Sequence, residues 1–478
     1  MNTKKRIIYI VLSLSVAGIF VSCQNRQTEA GTEAKTEISI DFSSSNGKVK
    51  PLHGVNNGPL VLGVNADLNV YHSEAGFPYT RLHDPRWPSP DVVDIPVIFP
   101  DFDADPDDSS NYHFKKTDDY IAPIIANKSA IIYRLGTSIE HHTQYYIHPP
   151  ANFDKWTKIC INIIRHYNEG WADGFHYNIK YWEIWNEPDL NARMWLGTKE
   201  DYFRLYETAA KAIKKHDPTL KVGGPATTGV KSPIVEPFLA YCRDHSAPLD
   251  FFSWHSYGTI PHQIALDSRY IRSLLDEFGF TKTENHLNEW HYLTSWEEVG
   301  PPKEEVEKYK DMREKFAKTV GPVGAAYTAA VLMHLQDYPL DVANYYSADT
   351  NPYGMFDVFG APSKTYYVFK AFNQLAKMDI RVDCTVSPAN DSVICCAGVS
   401  ESDKKGVFLV SNYSPDGKSY LLSFKNLPAT VSTVQYEIYR IDDTKDLELI
   451  ENKQIKPDNS INLNLPPYSV SMVVLKEI

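Results

Sequence analysis

The sequence predicts an α/β protein, a (β/α)8 TIM barrel with an accessory antiparallel β-sandwich, on three observations. Between about Leu52 and Met378, short apolar runs alternate with amphipathic helical patterns, as repeated βα units around a parallel sheet require. After Met378 the helical patterns stop, and strand-like runs follow one another with turn signals such as Ser414-Pro-Asp-Gly417 between them. A chain of 478 residues, 43% hydrophobic, is long enough for one large domain and a smaller companion.

Taken in order, Met1-Asn-Thr-Lys-Lys-Arg6 is a basic leader, and Ile7 to Phe20 is an apolar run too short for a comfortable membrane span. The run ends at Val21-Ser-Cys23, which resembles the lipobox at which bacterial signal peptides are cut and the cysteine lipidated. Residues 1–23 are therefore expected to be a lipoprotein signal peptide, and Cys23 the lipidated residue. The polar residues 24–36 read as a flexible tether. The expected location is that of an exported lipoprotein, on the outer membrane or cell surface or on the periplasmic face, held to the membrane through the lipid at Cys23. Residues 37–51 supply a strand that joins the β-sandwich, 52–378 the barrel and 379–478 the C-terminal β-sandwich.

Within the barrel, Trp156, Ile159, Cys160, Ile163, Ile164 and Tyr167 recur at helical spacing, as do Tyr202, Leu205, Tyr206, Ala209 and Ile213. Expected strands are Leu60 to Val64, the run before Arg81, Ala130 to Leu135, Lys180 to Trp185, Leu220 to Gly223, Phe251 to Trp254, Asn285 to Asn288 and Val342 to Tyr346. The sandwich strands are Arg381 to Val386, Val393 to Val399, Gly406 to Asn412, Ser419 to Phe424, Val434 to Ile441 and Ser469 to Leu475.

Composition narrows the function. The formal charge of −12 comes without a dense Lys/Arg stripe, which argues against a nucleic-acid partner and mildly against a highly anionic polysaccharide. The 30 Tyr and 9 Trp suit sugar faces as well as protein packing. Beyond Cys23, the cysteines at 160, 242, 384, 395 and 396 form neither a disulfide framework nor a zinc pattern, although two of the last three could bridge. Asp101-Phe-Asp-Ala-Asp105 spaces carboxylates like a calcium loop, but Pro106 stands where such a loop needs glycine, so no metal is expected, and no cofactor. His141-His142 lacks zinc spacing.

The chemistry is carried by two glutamates. Hydrolysis of a glycoside commonly uses one carboxylic acid to protonate the leaving oxygen and a second carboxylate as nucleophile or base. Glu187 follows the aromatic run Tyr181 to Trp185, and Pro188 stops the strand from continuing. Glu289 follows Asn285 to Asn288 in the same manner. They are 102 residues apart, or three βα units, so that if Glu187 ends strand 4, Glu289 ends strand 7, facing it across the C-terminal mouth where barrel active sites are built. A separation of about 5 to 5.5 Å there gives net retention of configuration.

Trp185-Asn-Glu-Pro188 with Asn288-Glu-Trp290 resembles the retaining (β/α)8 glycosidases of clan A, and most of all glycoside hydrolase family 39, which includes β-xylosidases and α-L-iduronidases. The resemblance implies Glu187 as acid/base, Glu289 as nucleophile and Asn186 as the residue that hydrogen-bonds the sugar 2-hydroxyl. Asn288 stands where the xylosidases often have Thr.

Around the pair, His255 and Tyr257 alternate toward the mouth at the end of strand 6, and in the clan a Tyr there often hydrogen-bonds the nucleophile. Arg81 is expected beneath the mouth as a supporting charge that keeps Glu289 ionised, with His83 on the same face, and His83 and Asp84 as substrate contacts. Trp290 and Tyr346 are further candidate sugar contacts. Trp87, Trp195, Trp296, Tyr345 and Phe356 serve equally as sugar walls or packing. Glu183 reads as a supporting barrel residue behind the catalytic pair.

The expectation is an exo-acting, β-xylosidase-like glycosidase on plant or dietary glycans, its partner an oligo- or polysaccharide. The alternatives are α-L-iduronidase, β-galactosidase or arabinosidase specificity, or a non-catalytic glycan-binding lipoprotein, which would not need two opposed, unequal carboxyls.

Overall fold

The computed structural model describes residues 36–61, 67–85, 90–141, 143–294, 314–350, 353–427 and 431–478. The expected signal peptide with Cys23, the tether up to residue 35, His142, Trp87 and Trp296 lie outside the described residues. Eight strands close a barrel in chain order: β2 (Gly54–Asn56), β3 (Tyr79–Leu82), β4 (Ala130–Leu135), β5 (Tyr181–Ile184), β6 (Lys221–Thr227), β7 (Phe251–Gly258), β8 (Glu284–Tyr292) and β9 (Val342–Tyr345). Every neighbouring pair is parallel. The helices Phe153–Glu169 and Lys199–His216 bury the apolar faces expected of them. Each begins at a side-chain cap, Asn152 accepting from the Lys155 amide and Thr198 forming a capping box with Asp201.

The remaining strands are β1 (Glu37–Asp41), β10 (Ile380–Ser387), β11 (Val393–Ser400), β12 (Lys405–Asn412), β13 (Lys418–Lys425), β14 (Val434–Ile441), β15 (Asp446–Ile455), β16 (Ile461–Leu465) and β17 (Ser469–Lys476). They form one continuous sheet in the order β15-β14-β17-β12-β11-β10-β1-β13-β16. It folds over at β10, whose first residues pair with β11 and whose later ones pair with β1. The two layers enclose a core that includes Ile38, Ile40, Phe408, Val410, Leu422, Ile438 and Val473. The β1 strand lies within this sheet, antiparallel to β10 and parallel to β13, where the other pairings are antiparallel. Cys384 and Cys395 face each other here with sulfurs 2.8 Å apart.

The helix Pro322–His334 joins the two parts. It is buried on nearly every face from Gly324 to Met333, because the barrel covers one side and the sandwich the other. Ser411 of β12 donates to the carbonyl of Ala326, which anchors the sheet on this helix.

Three sequence expectations are corrected. The first barrel strand is Gly54–Asn56, not the run that starts at Leu60; Val61 forms an isolated bridge to Asp67, and residues 62–64 of the expected strand lie outside the described residues. The true strand has a single apolar side chain, Val55, and a glycine that packs so tightly that a Cβ would lie 2.7 Å from the Ala343 carbonyl oxygen. Strands β15 and β16 were not foreseen. The first is an exposed edge strand rich in charge, a composition that protects an edge from pairing and hides the strand from hydropathy. The second is five residues long and ends against Pro466.

Truncating Phe408, buried between the sandwich layers, should cost about 3–5 kcal/mol. The expected outcome for Phe408→Ala is a clearly lower Tm by scanning calorimetry, with no change in the barrel's near-mouth chemistry while the protein stays folded.

Candidate active site

The first carboxyl is placed by a break in β5. After Ile184 the chain turns through Trp185 at φ +71°, whose amide donates to the Leu135 carbonyl at 2.8 Å. The indole lies between Trp156 and Trp195, with its Nε1 donating to the Met194 carbonyl at 2.7 Å. Room for it depends on Gly136, where a Cβ would come within 3.1 Å of the ring. Glu187 then takes φ +42° while its amide donates to the Ala226 carbonyl at 2.9 Å. Asp84, just after β3, and Ala226, near the end of β6, also have positive φ, so unfavourable backbone conformations recur at the barrel mouth.

The second carboxyl is placed by a bulge. In the β7–β8 ladder Trp254 pairs with Leu287 and His255 with Glu289, which leaves Asn288 as the extra residue. Two consecutive side chains, Asn288 and Glu289, therefore both reach the barrel interior. Strict alternation would send one of them outward. Glu289 lies within β8 rather than after its end, because the strand runs on to Tyr292.

Arg81 on β3 links Glu289 to Asn186, the neighbour of Glu187. It is fully buried. Its Nε donates to Glu183 Oε2 at 2.7 Å, Nη1 to Glu289 Oε1 at 2.8 Å and to Asn56 Oδ1 at 3.1 Å, and Nη2 to Asn186 Oδ1 at 2.6 Å. Asn288 donates its amide to the other oxygen of Glu183. Tyr257 donates to Glu289 Oε2 at 2.7 Å. His255 Nδ1 lies 2.7 Å from Glu187 Oε1 and 3.5 Å from Glu289 Oε2. One oxygen of each glutamate and a ring nitrogen of His255 all fall within 4.8 Å of one another.

The two carboxyls have different electrostatics. Burial pushes Glu187 up to about 8, and the nearby charges of Asp189 and Asp84 push the same way against the pull of Arg81. Asp189 is held in place by the amide and hydroxyl of Thr228. Burial also raises Glu289, but His255, Arg81 and the Tyr257 hydroxyl all favour its ionised form. His255 is held below the usual imidazole range by burial, which favours the neutral ring beside Glu187. Glu187, held toward its protonated form, faces Glu289, whose rise through burial is opposed by a cation and a phenol. That asymmetry is what acid-assisted displacement at a carbon between them needs.

Of the remaining residues named from sequence, His83 and Asp84 arrive at the site, with His83 Nε2 3.4 Å from Asp84 Oδ1 and 3.8 Å from Glu289 Oε1. Asp84 is fixed by the Ile139 amide at 3.0 Å. Tyr346 is 9% exposed and within electrostatic reach of Tyr257. Trp290 is a correction: its side chain is fully buried, stacked edge-on against Tyr345 and facing Phe369 in the helix layer, so it packs the barrel wall instead of a sugar. Tyr345, Trp195 and Phe356 are buried packing residues too. No sequence pattern pointed to Tyr353, whose hydroxyl is raised to about 12 by burial and the fields of Glu289 and Glu187. It lies in a loop eight residues beyond β9, where no periodicity operates.

Among the described residues, Glu187, His255 and Glu289 are the group that could hold a metal ion. A cation there would compete with Arg81 for Glu289. The aspartates at 101, 105 and 108 do not converge, and each instead accepts the amide two residues on, closing its own turn.

Comparison with known proteins agrees with this geometry. The family model "Glycosyl hydrolases family 39" matches residues 64–383. A β-xylosidase from Caldicellulosiruptor saccharolyticus is 25% identical over 301 residues, covering 58% of this chain and 57% of that protein. A β-xylosidase from Geobacillus stearothermophilus is 26% identical over 261 residues, covering 48% of this chain and 47% of the other. The chain thus spans about half the length of the curated relatives it matches. In fold it is similar to a glucosidase from Croceicoccus marinus, with a TM-score of 0.78 at 24% identity over 93% of this chain and 99% of that one.

The raised pKa of Glu187 has a stability consequence. Its folded value of about 8 lies above the ordinary 4.5, so the folded state's extra proton affinity contributes fully below about 4.5 and is lost as pH rises through about 8. Glu187→Gln removes that dependence. The Tm of the variant relative to wild type should climb between pH 5 and pH 9; parallel Tm curves would show that Glu187 is ionised throughout.

Proposed function

The chain belongs to glycosyl hydrolases family 39, and on that premise we propose that it is a retaining, exo-acting glycosidase of β-xylosidase type that releases a terminal sugar from plant or dietary glycans. One observation carries this reading: two carboxyls with oxygens within 4.8 Å of each other, one held protonated and the other held by Arg81 and Tyr257. Such a spacing suits double displacement, and leaves too little room for the water that an inverting enzyme places between its carboxyls.

In the first step Glu289 attacks the anomeric carbon while Glu187 gives its proton to the glycosidic oxygen, and the bond to the leaving sugar breaks. In the second, Glu187 as carboxylate takes a proton from water, the water oxygen bonds the anomeric carbon, and the ester to Glu289 breaks. Two inversions leave the configuration unchanged. Asn186 has its carbonyl oxygen engaged by Arg81, which turns its NH2 away as a donor for a sugar hydroxyl.

Two observations support a neutral sugar over a uronic acid. Asp84 and Asp189 raise Glu187, so their charges lie close enough to oppose an anionic ring. The Arg81 guanidinium is taken up by Glu183, Glu289, Asn56 and Asn186. The likeness to two β-xylosidases supports xylose as the first sugar to test.

On aryl β-xylosides, Glu289→Ala should lower kcat by on the order of 10⁴-fold or more. Glu187→Ala should spare substrates with good leaving groups and regain turnover with azide, which needs no general base. Proton NMR of the first-formed product should show the anomer of the substrate; the opposite anomer would refute retention.

Residues 1–23 support an exported lipoprotein anchored through Cys23. Cys23→Ala in cells should move the protein out of the membrane fraction, and an unchanged distribution would rule the anchor out.

A further inference from the structure

We propose that Glu183 is a positioning residue, the permanent counter-ion of Arg81, which sets how tightly Arg81 grips Glu289 and so how far the covalent glycosyl-enzyme accumulates. The inference rests on the retaining reading above and extends it to a carboxylate that never meets the sugar.

Glu183 is fully buried on β5, four residues before the acid and below the mouth. Both its oxygens are engaged: Oε2 accepts from Arg81 Nε at 2.7 Å, and Oε1 accepts from Asn288, the bulge residue beside Glu289. It therefore holds the guanidinium from one side and the nucleophile's strand from the other. Arg81, also fully buried, stands between two carboxylates, Glu183 and Glu289.

Counting charge through the reaction shows what the second carboxylate does. In the free enzyme one buried cation is shared by two anions, with Glu187 neutral. Sharing weakens the hold of Arg81 on Glu289 and leaves that carboxylate able to give up its charge on bonding. When Glu289 attacks the anomeric carbon and Glu187 protonates the leaving oxygen, Glu289 becomes a neutral ester. Glu187, now a carboxylate, carries the charge that Glu289 gave up, but it makes none of the hydrogen bonds of Arg81, so without Glu183 the buried cation would have no anion in direct contact, a state that the protein interior disfavours. Glu183 keeps its charge, and the Arg81–Glu183 pair is balanced in the covalent state. The other groups facing Glu289 do not supply this balance: Tyr257 and His255 from β7 are neutral, and His83 and Glu187 lie on its substrate side.

The test uses the full chain, 4-nitrophenyl β-D-xylopyranoside, the pH dependence of kcat/KM, and intact-mass measurement of the glycosyl-enzyme during turnover. Glu183→Gln keeps the shape and removes the charge. Arg81 then grips Glu289 alone, so the acidic limb should move down by about one pH unit and the steady-state glycosyl-enzyme should fall about ten-fold or more. Asn288→Ala acts in the opposite sense, because Glu183 without that donor draws Arg81 more strongly, and the acidic limb should move up. Glu183→Asp, which keeps the charge, should restore the wild-type limb in large part. General loosening of the site would lower kcat in both variants without opposite pH shifts.

An unmoved limb and unchanged glycosyl-enzyme level in Glu183→Gln would overturn the inference, as would shifts of the same sign in Glu183→Gln and Asn288→Ala. If Glu183→Gln cannot be purified folded, the sign of the shift in Asn288→Ala decides alone, upward in favour and otherwise against. A wild-type product of inverted configuration removes the retaining reading and this inference with it. A retained product with an unmoved limb removes only the inference.

Discussion

The interior of the barrel depends on the guanidinium of Arg81. A buried ion pair stabilises only if its remaining donors and acceptors are also satisfied, and losing one partner typically costs about 3–5 kcal/mol. Arg81 meets that condition with four partners drawn from separate strands or strand ends: Asn56, Glu183, Asn186 and Glu289. Each of those residues is in turn fixed by its own element, so the site tolerates few arrangements. The network fixes Glu289 and, through Asn186, the strand end from which Glu187 projects.

Much of this was legible in the sequence, and the parts that were not share a physical character. The later βα units and most strands of the sandwich could be read because burial on a helix or strand face leaves a periodic signal. Glu187, Asn186, Glu289, Arg81 and Tyr257 could be placed because strand ends map onto the mouth by counting units. The first strand was misplaced because Gly54-Val-Asn56 carries almost no hydropathy. Trp290 was misread because adjacency to the nucleophile in sequence says nothing about its direction. Next to a bulge, two consecutive residues point inward and the following one, Trp290, goes to the helix layer.

The same bulge gives Asn288 a meaning that its sequence position lacks. As a residue beside the nucleophile it only marks a departure from the threonine often found in xylosidases. As the extra residue in the β7–β8 ladder it turns inward and hydrogen-bonds Glu183, the carboxylate on the far side of Arg81. It therefore acts on the charge network from below. In the proposed reaction the sugar's hydroxyls would be met from above, by the NH2 of Asn186 and by the residues of the mouth, His83 and Asp84 among them. Specificity and nucleophile support thus reside in different layers of the barrel, and a change at Asn288 bears first on the second.

Two glutamates of identical chemistry acquire opposite roles here through their surroundings alone. Glu187 has a neutral histidine and two neighbouring aspartates, and burial with those charges keeps its proton near neutrality. Glu289 is as deeply enclosed, yet it has a cation on one oxygen and a phenol on the other. Burial raises both, so burial cannot be what separates them. The separation comes from which carboxyl Arg81 reaches. Arg81 reaches Glu289 directly and Glu187 only at a distance, and the positive-φ turn through Trp185 and Glu187 holds the acid's backbone against Ala226 of the next strand. Backbone strain at the strand end thus has an electrostatic result: it fixes Glu187 where the hydrogen bonds of Arg81 do not extend, and so lets one buried cation divide a pair of carboxyls into acid and anion.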